Sequence, residues 1–217
     1  MAFDPVSGEL WEQENGDDSF SEINRVEPGF NSGWVQIKGP PERIAQFKAI
    51  ETDPTAPQPF AAGGYFGLQQ IRWSPTNIAD TPAEALSRLF VLPGSRYSAP
   101  EMSWKFEVAP GGIGFVSSDA LGRQYRGDLI VGAARTFLEG GHLFRLNLTG
   151  NRLNIAVDDP RLADRVADNI NKWEITESET LLFGRNFGIG TDVQTGPNGN
   201  LFIVSLSNGA IYEIRHR

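Results

Sequence analysis

The stretch Asp4-Pro5-Val6-Ser7-Gly8-Glu9-Leu10-Trp11 returns near the other end of the chain as Gly196-Pro197-Asn198-Gly199-Asn200-Leu201-Phe202-Ile203-Val204. A looser copy is Ala109-Pro110-Gly111-Gly112-Ile113-Gly114-Phe115-Val116. Proline fixes φ and starts a turn, glycine supplies a positive φ, and the residues that follow run into a strand. Each copy leads to a second segment in which a polar residue stands between apolar ones: Glu22-Ile23-Asn24-Arg25-Val26, His142-Leu143-Phe144-Arg145-Leu146 and Ala210-Ile211-Tyr212-Glu213-Ile214. Period-two alternation of this kind is what a half-buried antiparallel strand requires. Repeated hairpins spaced by tens of residues predict an all-β chain of the β-propeller type, and at roughly 40–50 residues per blade about three to four blades fit once long insertions are allowed for.

Working outward, the clearest strand pair is Asp128-Leu129-Ile130-Val131-Gly132-Ala133 with His142 to Leu146. Residues 38–101 read differently. They are proline-dense with little alternation, and they predict a long irregular insertion within a single domain spanning 1–217. One helix is expected there, from Thr81 as N-cap and Pro82 at the first helical position to Leu89. A second helix is expected around Arg161 to Ile170, where Leu162, Val166, Ala167 and Ile170 have helical spacing. A strand beginning at residue 3 leads to the expectation that the array is incomplete at its N-terminus.

Composition narrows the function classes. The 217 residues are 40% hydrophobic, enough for a sizeable core, and their 24 glycines and 14 prolines favour strands joined by turns. The net charge of −8, with no basic stripe, gives no electrostatic support for nucleic-acid binding. No cysteine is present, which excludes disulfides, thiolate catalysis and zinc–thiolate sites. No apolar run approaches the ~18 residues that would predict a membrane-spanning helix, and no basic region followed by an apolar one marks a signal peptide.

The segment from Phe3 to Trp34 resembles the soluble quinoprotein glucose/sorbosone (aldose sugar) dehydrogenases. The residues that carry the resemblance are Glu14-Asn15-Gly16, Ser21-Glu22-Ile23-Asn24-Arg25-Val26 and Gly29-Phe30-Asn31-Ser32-Gly33-Trp34. It continues at Ala109 to Ile113 and through Tyr125-Arg126-Gly127-Asp128-Leu129-Ile130-Val131-Gly132-Ala133-Ala134-Arg135. It closes at Thr191-Asp192-Val193-Gln194-Thr195-Gly196-Pro197-Asn198-Gly199. The resemblance implies a six-bladed propeller that binds pyrroloquinoline quinone (PQQ) and calcium, and oxidises an aldose at C1 to a lactone with hydride passing to the quinone. It implies a periplasmic or extracellular setting. It assigns Asn15 and Arg135 to the cofactor, the backbone carbonyls of Gly16 and Asp17 to calcium, and Trp104 to the sugar. Trp11, Trp34 and Trp73 are read as packing residues, and His142 as a structural strand residue.

The chain also departs from the family. The His-Arg-Asn-Pro pattern expected ahead of Phe3 is not in it, and arginine is missing at both expected places in Gly188-Ile189-Gly190-Thr191-Asp192. No catalytic residue is therefore assigned. Three readings stay open: part of a PQQ-dependent sugar dehydrogenase-like protein, inactive as the isolated chain; a non-catalytic propeller serving as a binding or scaffold module; and a half-propeller that closes by homodimerisation. From the residues alone, the acidic stretch Asp17 to Glu22 reads as a solvated hairpin loop that does not fit the EF-hand pattern.

Overall fold

The computed structural model describes residues 1–52, 74–134, 140–172 and 174–216. The chain is mostly strands in several sheets, with few helices. The first sheet holds β1 (Ala2–Phe3), β2 (Leu10–Glu14), β3 (Ser19–Val26) and β6 (Met102–Phe106) as antiparallel neighbours. β11 (Val166–Ala167) adds to β6 in parallel, Val166 opposite Ser103. The second is a meander of β7 (Pro110–Phe115), β8 (Leu129–Ala133), β9 (His142–Leu148) and β10 (Ile155–Ala156), with β12 (Leu182–Arg185) also on β9. The third is the meander β13 (Gly190–Thr195), β14 (Leu201–Ser205) and β15 (Ala210–Ile214). A two-stranded pair, β4 (Phe30–Asn31) and β5 (Arg96–Tyr97), lies in the segment between β3 and β6.

Alternation along β8 explains how the sheets stack. Leu129, Val131 and Ala133 point into a core shared with Trp11, Ile23, Met102 and Trp104 of the first sheet. Ile130 points the other way, into a core with Val193, Leu201 and Ile203 of the third. A strand buried on both faces belongs to a central layer, so the second sheet is sandwiched between the other two. The pairing expected for 128–133 with 142–146 forms, with Leu129 opposite Leu146 and Ala133 opposite His142.

Two of the three Pro-x-Gly copies are turns between strands. In the first, Gly8 takes a φ of 78° and its N–H donates to the Asp4 carbonyl at 2.9 Å. In the last, Gly199 takes a φ of 82° and its N–H donates to Gly196 O at 2.9 Å. The middle copy is not a turn. Pro110 to Gly114 lie within β7, and a Cβ on Gly112 or Gly114 would collide with the backbone of β13 at Thr191 or Val193. Those glycines let two sheets approach closely.

Helix α2 (Pro82–Arg88) matches expectation: Thr81 Oγ1 accepts from Glu84 N at 3.2 Å, and Pro82 opens the helix. The helix expected over 161–170 does not form. A single 3₁₀ turn spans Pro160–Leu162, Arg165 takes a φ of 61°, and Val166–Ala167 leave as strand β11 against β6. The backbone bonds offered by β6 outweigh the apolar spacing, and Ile170, the last residue of the supposed apolar face, is exposed. An unexpected helix, α1 (Ile44–Thr52), buries Ile44, Phe47 and Glu51 on one face. With Ile37, Ile78, Ala79 and Ala85 it forms a small core over Phe20 of β3. Among the described residues no helix is long and apolar enough to cross a membrane.

Candidate functional site

The β2–β3 hairpin places Glu12 opposite Asn24 and Glu14 opposite Glu22. Alternation puts all four on one face, while Trp11 and Ile23 enter the main core on the other. Glu22 is fully buried. Its Oε1 accepts from Gly39 N at 2.5 Å and its Oε2 from Asn24 Nδ2 at 3.3 Å. Burial, followed by the nearby Glu14 charge, pushes its carboxyl up to about 8. Burial also raises Glu12 and Glu14. Glu22 thus holds a proton at neutral pH, on the hairpin whose connecting loop the sequence singles out.

That loop is not solvated. Gly16 is buried, and a Cβ there would collide with the Ser19 carbonyl, so the turn needs glycine for close approach rather than for its φ. Asp18, Ser19 and Phe20 are buried. From α1, Glu51 Oε1 accepts from Asp18 N at 3.2 Å, Ser19 N at 3.0 Å and Ser19 Oγ at 2.6 Å. The buried Lys38 Nζ sits 3.6 Å from Asp17 Oδ2 and 3.9 Å from Glu51 Oε1, and 4.7 Å from the Trp34 ring centroid. On the opposite side, Lys172 Nζ donates to the Asp17 carbonyl at 2.8 Å and pairs with Asp18 Oδ1 at 2.6 Å and Glu107 Oε2 at 2.9 Å. Burial raises the carboxyls of Glu51 and Glu107, with the lysines pulling them back.

The residues singled out from the sequence do not all gather here. Asn15 is exposed at the rim of the turn, next to Gly16 and Asp17. Trp104 is 0% exposed: it packs 5.1 Å from Phe144, and its indole N–H donates to Ser178 Oγ at 3.0 Å. An indole enclosed on both faces cannot stack on a sugar, so this assignment is corrected. Arg135 and Trp73 lie outside the described residues. His142 is buried in β9 beside Phe144. The aromatic that does present itself is Trp34, read from the sequence as packing but 52% exposed beside the hairpin. Its place at the end of the Gly29–Gly33 turn was the signal that could have marked it.

The fit to calcium and PQQ can be tested on these contacts. The Asp17 carbonyl already accepts from an ammonium. Among the described residues no group of three or more His, Asp or Glu is placed to hold a metal. The described cations near the loop, Lys38 and Lys172, are paired with protein carboxylates. The Asp17 carbonyl is therefore already engaged by a lysine, and the two described lysines beside the loop are engaged by protein carboxylates.

No protein-family model matches the sequence, and no curated protein matches it. Solved structures do. A calcium structure of the Trichoderma reesei Carbohydrate-Active Enzymes Family AA12 protein aligns with 100% of this chain and 51% of its own, with a TM-score of 0.51 and 14% identity. A Thermus thermophilus protein described as an oxidoreductase (glucose dehydrogenase) aligns with 96% of this chain and 38% of its own, at 21% identity and a TM-score of 0.46. The chain spans about half or less of the length of these structures, and the likeness to the AA12 structure is one of fold.

Proposed function

We propose that this chain is about three blades of a sugar-oxidoreductase-type propeller, and that the β2–β3 hairpin with the turn ending at Trp34 forms its ligand-facing surface. The stacking order supports this: three successive sheets, packed face to face, align over the whole chain with the AA12 fold. Function does not follow from fold alone. The observation that carries the reading is local: an exposed Trp34 indole stands over the buried Lys38 ammonium, beside a hairpin whose Glu22 is protonated at neutral pH. An aromatic face offers a stacking surface for the C–H side of a sugar ring, and the rim residue Asn15 offers polar contacts.

On this reading the substrate is an aldose, oxidised at C1 to a lactone, and PQQ is the electron acceptor. Arg135 remains the proposed contact for a quinone carboxylate, and calcium would be held by groups other than the Asp17 carbonyl. The contribution of the described residues is binding and positioning, and the base that takes the substrate proton comes from outside them. Titration calorimetry with a set of aldoses and with PQQ, on the chain and on Trp34→Ala, tests the proposal. Binding that Trp34→Ala abolishes is the expected result. The absence of both sugar and PQQ binding would remove it in favour of a scaffold module. That second reading draws on the lysine-filled turn.

A further inference from the structure

The turn assigned to calcium contains a cation of its own. Lys172 is 7% exposed, and its Nζ stands among three oxygens from two parts of the chain: the Asp17 carbonyl at 2.8 Å and Asp18 Oδ1 at 2.6 Å in the turn, and Glu107 Oε2 at 2.9 Å after β6. Asp18 and Glu107 are themselves 5% and 6% exposed. A carbonyl and two carboxylates converging on one point is the donor chemistry of a hard cation. Here the point is taken by an ammonium tethered to the chain. A second ammonium, on Lys38, faces the Asp17 carboxylate from the other side. A divalent ion entering the turn would meet both positive charges.

We propose that Lys172 is a resident cation that replaces calcium at the 15–18 turn, so that this turn folds and holds its shape without metal, and that removing the ammonium opens a divalent-cation site there. The wild-type loop then selects against calcium by charge, and the three oxygens that Lys172 vacates are the ones a metal would find. The proposal rests on the hairpin being the cofactor-facing one only in its choice of calcium as the ion. Its test uses neither sugar nor quinone, so it stands or falls separately from the proposed function.

The experiment compares the full chain with Lys172→Met, and with Lys172→Arg as a charge-retaining control, by thermal melting and titration calorimetry in EDTA and in millimolar calcium. The wild type is expected to show no calcium binding or calcium-dependent shift in melting temperature that Asp18→Asn alters. Lys172→Met leaves two carboxylates facing each other and is expected to lose on the order of 10 °C in EDTA. It should regain a large part of that in calcium, with one ion bound, while Lys172→Arg gains nothing. A calcium-dependent rise in the wild-type melting temperature that Asp18→Asn removes overturns the proposal, as does a Lys172→Met protein that folds but ignores calcium. If Lys172→Met does not fold in either buffer, the wild-type calorimetry decides: calcium binding that Asp18→Asn or Glu107→Gln weakens overturns the idea, and its absence upholds it.

Discussion

Replacing Glu22 by glutamine should stabilise the protein, and more so as pH rises. The carboxyl has an ordinary value of 4.5 and is pushed up to about 8 in the folded chain. The folded state therefore holds a proton that the unfolded state releases between those two values. Stability from this group is fully present below pH 4.5 and is lost as pH climbs to about 8, after which the deficit is constant. At 1.36 kcal/mol per pH unit, the deficit is roughly 3 kcal/mol at pH 7 and ~5 kcal/mol above pH 8. Glu22 is fully buried, so solvent screening does not reduce these figures. Glutamine keeps the shape of the neutral acid and never ionises. Its carbonyl can accept from Gly39 N as Oε1 does. Its amide needs an acceptor, and Asn24 supplies one: Asn24 Oδ1 is buried without a hydrogen-bond partner among the described residues, and turning that amide over brings it to face position 22. Urea denaturation of wild type and Glu22→Gln at pH 5, 6, 7, 8 and 9 measures the difference directly. Other buried carboxylates, such as Glu107 and Asp128, titrate in both proteins and cancel. A difference that stays flat between pH 5 and 8, or a variant less stable than wild type at pH 7, would refute the assignment of a proton to Glu22.

Glu51→Ala should cost at least about 3 kcal/mol by urea denaturation, because it leaves the buried Asp18 and Ser19 amides without their acceptor. Glu51→Gln, which keeps an acceptor oxygen, should lose roughly 1 kcal/mol or less. Trp104→Phe should cost about 1–2 kcal/mol through the lost bond to Ser178 and a small void, and should leave the affinity for any aldose that the chain binds unchanged. A Trp104→Phe protein that keeps its stability but loses sugar affinity would restore Trp104 to the site.

The strands were legible where one local rule decides them. β8 reads as a short continuous apolar run and β9 carries polar residues between apolar ones, and their register buries Leu129, Val131, Leu146 and Phe144 on one side. Glycine was less readable, because the same residue serves two purposes. Gly8 and Gly199 provide positive φ in turns, whereas Gly112 and Gly114 lack a Cβ so that β7 can touch β13. Only tertiary contact separates the two uses. Helix α1 was hidden by its own function: Ile44 and Phe47 begin an apolar face that Glu51 completes, and a glutamate one turn on does not read as core. The stretch 161–170 failed in the opposite sense, its helical spacing being overridden by an edge on β6.

The site divides along the same line. The hairpin, its Gly16 and the turn leading to Trp34 are contiguous and could be read. The groups that fix the loop are not contiguous with it: Glu51 lies 33 positions from Asp18, and Lys172 lies 155 from Asp17. No periodicity records such a pairing. Each clamp arrives on a different element, Glu51 on α1, Glu107 just after β6 and Lys172 in the segment after β11, so one short turn is held from three directions. Burying charges at this density costs desolvation free energy that their pairing only partly returns. What the arrangement does provide is a single geometry for the turn, since moving any one element strands a charge. A surface positioned for a ligand needs that kind of support from its surroundings. The buried ion pairs are therefore better read as positioning the hairpin beside Trp34 than as a source of net stability.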